Sequence, residues 1–111
     1  MSEHDEQVAV VRWCAWRSIP VFAIPNGGYR PKATAKRLKD EGVEPGVPDL
    51  FIPVSKHGKH GLFLEMKDRR GAKPRPEQME WLELLDRNGY VAAWARGADA
   101  AIELIERYFD D

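Results

Sequence analysis

The chain has 111 residues, 43% of them hydrophobic and 32% charged, with a formal net charge of −1. That length allows one modest core, so a single domain over residues 1–111 is expected. No run of apolar residues is long enough to make a membrane-spanning helix, and the acidic opening MSEHDEQ is unlike a secretory signal.

Residues 3–17 read as a helix capped by Ser2, with Asp5 three positions on as its reciprocal partner. Val8, Val11 and Ala15 fall along one stripe, with Val10, Trp13 and Cys14 beside it, which predicts that much of this helix is buried. Cys14, the only cysteine, reads as a small buried hydrophobe in a reducing compartment. Ile19 to Ile24 is a short apolar run, expected to be a buried strand, ended by the turn Pro25-Asn26-Gly27-Gly28. Pro31 to Glu41 reads as a helix with Lys32, Lys36 and Lys39 along one side, either a solvated face or a track for a phosphodiester backbone.

A strand from Asp49 to Val54, a loop from Ser55 to Gly61 and a second strand ending at Lys67 form a hairpin. Its loop holds His57 and His60, whose spacing in a Gly-Lys segment does not suit zinc; a mobile basic tip that touches nucleic acid is the better reading. After a basic loop, Pro76 opens a helix that Gly89 ends, with Met79, Leu82 and Leu85 as its core stripe and Trp81 and Leu84 widening it. Tyr90 to Ala95 is expected to be a buried strand. A last helix from Asp99 to Phe109 should turn Ala101, Leu104, Ile105 and Tyr108 inward.

Charge is unevenly distributed. Residues 30–75 carry twelve Lys/Arg against six Asp/Glu, a net of +6, and the remainder five against twelve, a net of −7. Within the basic section, strand alternation puts Glu65, Lys67 and Phe63 on one face and Leu62, Leu64 and Met66 on the other. With Asp49 near the start of the partner strand, two carboxylates and an ammonium meet at one end of a hairpin. Hard oxygen ligands beside a lysine suit a divalent cation and a water to be activated.

Pro48-Asp49 followed, after fifteen residues, by Glu65-Met66-Lys67 resembles the PD-(D/E)XK nuclease signature. Together with PNGG, Arg30, EGVEPGVPDLFIP, LFLEMK and PEQMEW, in that order, the chain resembles the VRR-NUC branch of that superfamily over nearly its whole length. The resemblance implies an α/β fold, a PD-(D/E)XK (restriction-endonuclease-like) core with a mixed sheet flanked by helices. It implies that Asp49, Glu65 and the main-chain carbonyl of Met66 hold Mg²⁺ or Mn²⁺, that Lys67 is catalytic, and that Gln78 supports the site unless it only caps its helix. A first-helix glutamate four residues before a glutamine helps bind metal in the family. That spacing picks Glu3, with Glu6 as competitor and a merely solvated glutamate as the plain alternative. Asn26, Arg30, Lys32, Lys36, Arg69, Arg70 and Lys73 are the candidates for DNA contact.

The implied activity is that of a structure-selective DNA endonuclease, foremost a dimeric Holliday-junction resolvase of phage or bacterial type. It would act in the cytoplasm of a bacterium or of a phage-infected host. The alternatives are a flap, fork or nicking nuclease, and an inactive DNA-binding module on the same fold.

Overall fold

A computed structural model describes residues 1–25 and 31–111. The elements run α1 (Glu3–Trp16), β1 (Phe22–Ala23), α2 (Lys32–Asp40), β2 (Leu50–Ile52), β3 (Leu62–Lys67), α3 (Pro76–Arg87), β4 (Val91–Arg96) and α4 (Gly97–Phe109). This is the expected order, and the strands form one mixed sheet in the order β1-β2-β3-β4. β1, β2 and β3 are antiparallel neighbours, whereas β4 lies parallel to β3 because α3 carries the chain back across the sheet.

The core lies on the face that Leu62, Leu64 and Met66 present, where α1 contributes Val10 and Cys14 and α4 contributes Ala98, Ala101, Ile105 and Tyr108. Ser2 and Asp5 exchange hydrogen bonds at the start of α1 as a complete capping box, with Asp5 N–H to Ser2 Oγ at 3.1 Å. The hairpin tip is a tight two-residue turn, with His57 and Gly58 both at positive φ and Lys56 and Lys59 bonded to each other through their main chains. That geometry matches the twist of the flanking strands. The tip sits at the start of β3, the end opposite Glu65 and Lys67, and so is set away from the acidic site.

Several expected faces differ. The buried stripe of α1 is Glu6, Val10 and Cys14, not Val8, Val11 and Ala15; Val11 and Ala15 are exposed. Both rows are helical repeats, and the buried carboxylate Glu6, which no hydrophobicity pattern predicts, decides which one turns inward. On α3 only Gln78 and Leu82 are buried, while Met79 and Leu84 stay largely in water, because the helix rests its first turn on the sheet's acidic end. The run Ile19–Ile24 pairs only over Phe22–Ala23, and both of these residues are exposed, because β1 lies at the edge of the sheet. β2 is shorter than expected, starting one residue after Asp49 and ending before Pro53. β4 is also an edge, with Ala95 its one buried residue.

Candidate active site

Asp49 directly precedes β2. The register pairs Leu50 with Leu64, and continuing it by one residue sets Asp49 opposite Glu65. Pro48, buried beside it, anchors this entry into the sheet. Asp49 Oδ2 accepts the Met66 N–H at 2.7 Å, which ties the carboxylate to the strand that carries its partner.

Glu65 is almost wholly buried. Gln78 fixes it: its side-chain Nε2 donates to Glu65 Oε2 at 3.0 Å, while its Oε1 accepts the Arg75 N–H at 2.8 Å. The two sequence readings of Gln78, cap and site support, are thus one arrangement. Lys67 Nζ stands 3.7 Å from Glu65 Oε2 on the same face of β3.

Electrostatics follow from crowding. Burial, and then the neighbouring Asp49, push the Glu65 carboxyl up to about 8, with Lys67 opposing. Burial raises Asp49 as well, held back by the Met66 N–H, a hydrogen bond with Glu65 and Lys67. Each carboxyl thus opposes ionisation of the other, and Lys67 offsets that opposition in part. Glu3, exposed at the start of α1, is raised by partial burial and then by Asp49, and it also feels Lys67. Its side chain therefore overlooks the same site.

Glu6 does not. It is fully buried, and Arg69 grips it with two nitrogens at 3.2 Å each. Gly97 makes room for this clamp: a Cβ there would lie 2.5 Å from Glu6 Oε2. Arg69 also lies 3.7 Å from Asp99, so its half-exposed guanidinium is already paired with two carboxylates of the protein. Hydrophobic patterning cannot reveal such a pair; the signal available was a glutamate in register with Val10 and Cys14. Among the remaining DNA candidates, Arg70, Lys73, Lys32 and Lys36 are exposed, and Lys36 is ion-paired with Asp40 at 2.9 Å. Asn26 and Arg30 lie outside the described residues.

The profile of the VRR-NUC domain matches residues 1–99. The chain belongs to the VRR-NUC family. A solved structure titled "VRR_NUC domain protein" superposes with a TM-score of 0.85 at 28% identity, over 98% of this chain and 88% of that one. No match exists among curated proteins. The fold is accordingly the α/β, PD-(D/E)XK-type architecture expected, and the family is one of nucleases.

In this VRR-NUC chain no three His, Cys, Asp or Glu side chains among the described residues close on one point. The convergent carboxylates are the pair Asp49 and Glu65. A pair suits a hard cation that keeps several waters and takes one or two carboxylates from the protein. The matching observation is the buried juxtaposition of the two carboxylates, whose mutual repulsion a dication would relieve.

Two predictions arise here. Gln78→Leu removes the donor to Glu65 and leaves the Arg75 N–H without its acceptor. It should cost about 1–3 kcal/mol in a denaturant melt and lower any cleavage rate severalfold. Gln78→Glu, which keeps the acceptor for Arg75 but brings a third carboxyl to the pair, should be worse for cleavage than for folding.

The second prediction concerns pH. Folding raises the Glu65 pKa from its ordinary 4.5 to about 8. Between those values the folded state holds a proton that the unfolded chain releases. This contribution to stability is therefore complete below 4.5 and is lost as pH climbs through about 8. Thermal melts in chelator should show the decline, on the order of a few kcal/mol, and Glu65→Gln should flatten it.

Proposed function

We propose that this VRR-NUC chain is a divalent-cation-dependent endonuclease that hydrolyses DNA phosphodiesters, selects branched DNA, foremost four-way junctions, and works as a homodimer. The observation that carries the hydrolytic reading is the juxtaposed carboxylate pair Asp49–Glu65 with Lys67 on the same strand face. It is a dense acidic point with one cation beside it, at the end of a sheet and open to Glu3.

Asp49, Glu65 and the Met66 carbonyl would hold Mg²⁺ or Mn²⁺, with Glu3 as an outer partner. When bound, such a cation lowers the pKa of water and offsets charge growing on the phosphate oxygens. The chain's own groups do the rest. Gln78 keeps Glu65 in one rotamer. Asp49, locked to the Met66 N–H, keeps the two strands in register at the site. Lys67 orients the attacking water or stabilises charge on the phosphoryl group in the transition state. The water oxygen bonds to phosphorus in line with the departing 3′ oxygen, leaving a 5′-phosphate and a 3′-hydroxyl.

The homodimer is supported by the outer side of α1. Its second apolar stripe faces water, with Val11 and Ala15 exposed and Trp16 76% exposed. Burying that stripe against a second copy would bring two sites to one junction under twofold symmetry. Flap, fork or nicking activity by a monomer is the neighbouring reading.

End-labelled four-way junction, flap and linear duplex, each with Mg²⁺ or chelator, test the proposal. Paired nicks in the junction that vanish in chelator support it. Unpaired nicks from a protein that sediments as one chain leave a monomeric nuclease, and binding without cleavage leaves an inactive module.

A further inference from the structure

The face of β3 that carries Glu65 and Lys67 continues away from them as a row of aromatic rings. Phe63 precedes Glu65 by two residues and Phe51 follows Asp49 by two, so both share the carboxylates' face. Phe51 pairs with Phe22 on β1. The Phe51 and Phe63 rings stack at 4.3 Å between centroids, and Phe22 meets Phe51 edge-on at 5.5 Å. Phe51 is seated over Gly61, where a Cβ would lie 2.7 Å from the ring, and Tyr90 closes edge-on against Phe63 at 5.1 Å. The inner rings are therefore held from several sides. The row ends at Phe22, 53% exposed, on the open edge of the sheet.

A single exposed phenylalanine is ordinary. This one is the free end of a packed row that starts beside the acidic pair, about 7 Å along the strand and about 10 Å across two strand spacings from it. The Ile24 N–H bonds to the Asp49 carbonyl at 2.8 Å, so β1 ends where β2 begins. The chain thus leaves β1 and re-enters β2 at neighbouring points beside Asp49, and α2 lies between them in sequence. α2 presents Lys32 and Lys39, both exposed, alongside Lys36 and Arg37, which pair within the helix. An exposed ring continuous with the acidic pair of a nuclease-family chain fits the planar base of a nucleic acid whose phosphate lies at that pair.

We propose that Phe22, backed by Phe51 and Phe63, stacks an unpaired nucleobase next to the scissile phosphate. Beyond the fully paired four-way junction, the protein thereby also takes flaps and forks, whose strand is single-stranded on one side of the cut. The proposal rests on the nuclease reading for its scissile phosphate but not for the stacking itself. Base–aromatic stacking tolerates any base, so it reports strandedness and not sequence.

Fluorescence anisotropy in chelator separates stacking from cleavage. The probes are a labelled oligothymidine, the same backbone with abasic sites, and a blunt duplex. Phe22→Ala should weaken oligothymidine binding by about tenfold or more, Phe22→Trp should restore it, and the abasic strand should bind wild type and Phe22→Ala alike. In Mg²⁺, Phe22→Ala should also lose the preference for a splayed-arm substrate over linear duplex. Equal binding of oligothymidine by wild type and Phe22→Ala overturns the proposal. So does an equal loss on the abasic strand, or a drop in sedimenting mass showing that Phe22 joins two copies. If stacking depends on Phe22 but no DNA is cut in Mg²⁺, the nuclease reading falls and the stacking site stands. If DNA is cut and Phe22→Ala behaves as wild type on every probe, the reverse holds.

Discussion

Asp49→Asn and Glu65→Gln should each reduce DNA cleavage at least about a thousandfold, equivalent to about 4 kcal/mol of lost transition-state stabilisation. Neither change should weaken the metal-free fold. Both side chains are nearly isosteric with the originals, and each amide keeps an oxygen where a partner needs one: for the Met66 N–H at position 49 and for Gln78 at position 65. What disappears is one of two like charges whose ionisation burial and mutual repulsion oppose. In chelator at about pH 8, both variants should melt at or above wild type, and added Mg²⁺ should raise the melting temperature of wild type alone. Ordinary cleavage by either variant would remove Asp49 and Glu65 from the metal site. A melting temperature well below wild type would show that the acidic pair is structural.

The second large effect is expected at Lys67. Lys67→Ala should lower kcat by about a hundredfold to a thousandfold at saturating metal and DNA, with little loss of affinity for uncut DNA. A cation that acts mainly as charge builds on the phosphoryl oxygens contributes to the transition state and hardly to the ground state. Saturating metal matters because Lys67 also holds the Glu65 pKa down. Without it that carboxyl gives up its proton at still higher pH, so the variant should require more Mg²⁺ or a more alkaline buffer. Single-turnover kinetics across a metal titration distinguish the two contributions. If saturation with Mg²⁺ restores the wild-type rate, Lys67 serves only to tune Glu65. If binding weakens while the saturated rate is unchanged, it is a phosphate anchor.

Local sequence went far towards the site. Glu65 and Lys67 had to share a face because strand side chains alternate, and the structure keeps Leu62, Leu64 and Met66 on the other, in the core. The order of the eight elements and the Ser2–Asp5 cap were likewise legible, since caps, prolines and periodicities act over a few residues. Gln78 was visible as a candidate, although its bond to Glu65 spans thirteen positions and needed the fold to close it.

What only the tertiary structure decided were matters of which face turns inward and which group meets a distant charge. α1 carries two stripes, and the sequence does not rank Glu6-Val10-Cys14 above Val8-Val11-Ala15, because a glutamate counts against burial until a counter-ion is known. Arg69 supplies that counter-ion from sixty-three positions away, with Gly97 leaving the space, so Glu6 goes in and Glu3 is left facing the acidic pair. The same holds for Phe22: its apolar run predicts a buried strand, but burial depends on whether another layer covers it, and at this edge of the sheet Phe22 stays 53% exposed. Short-range chemistry sets what each segment is. Long-range pairing of charge and the limits of a four-stranded sheet set which side of it meets water.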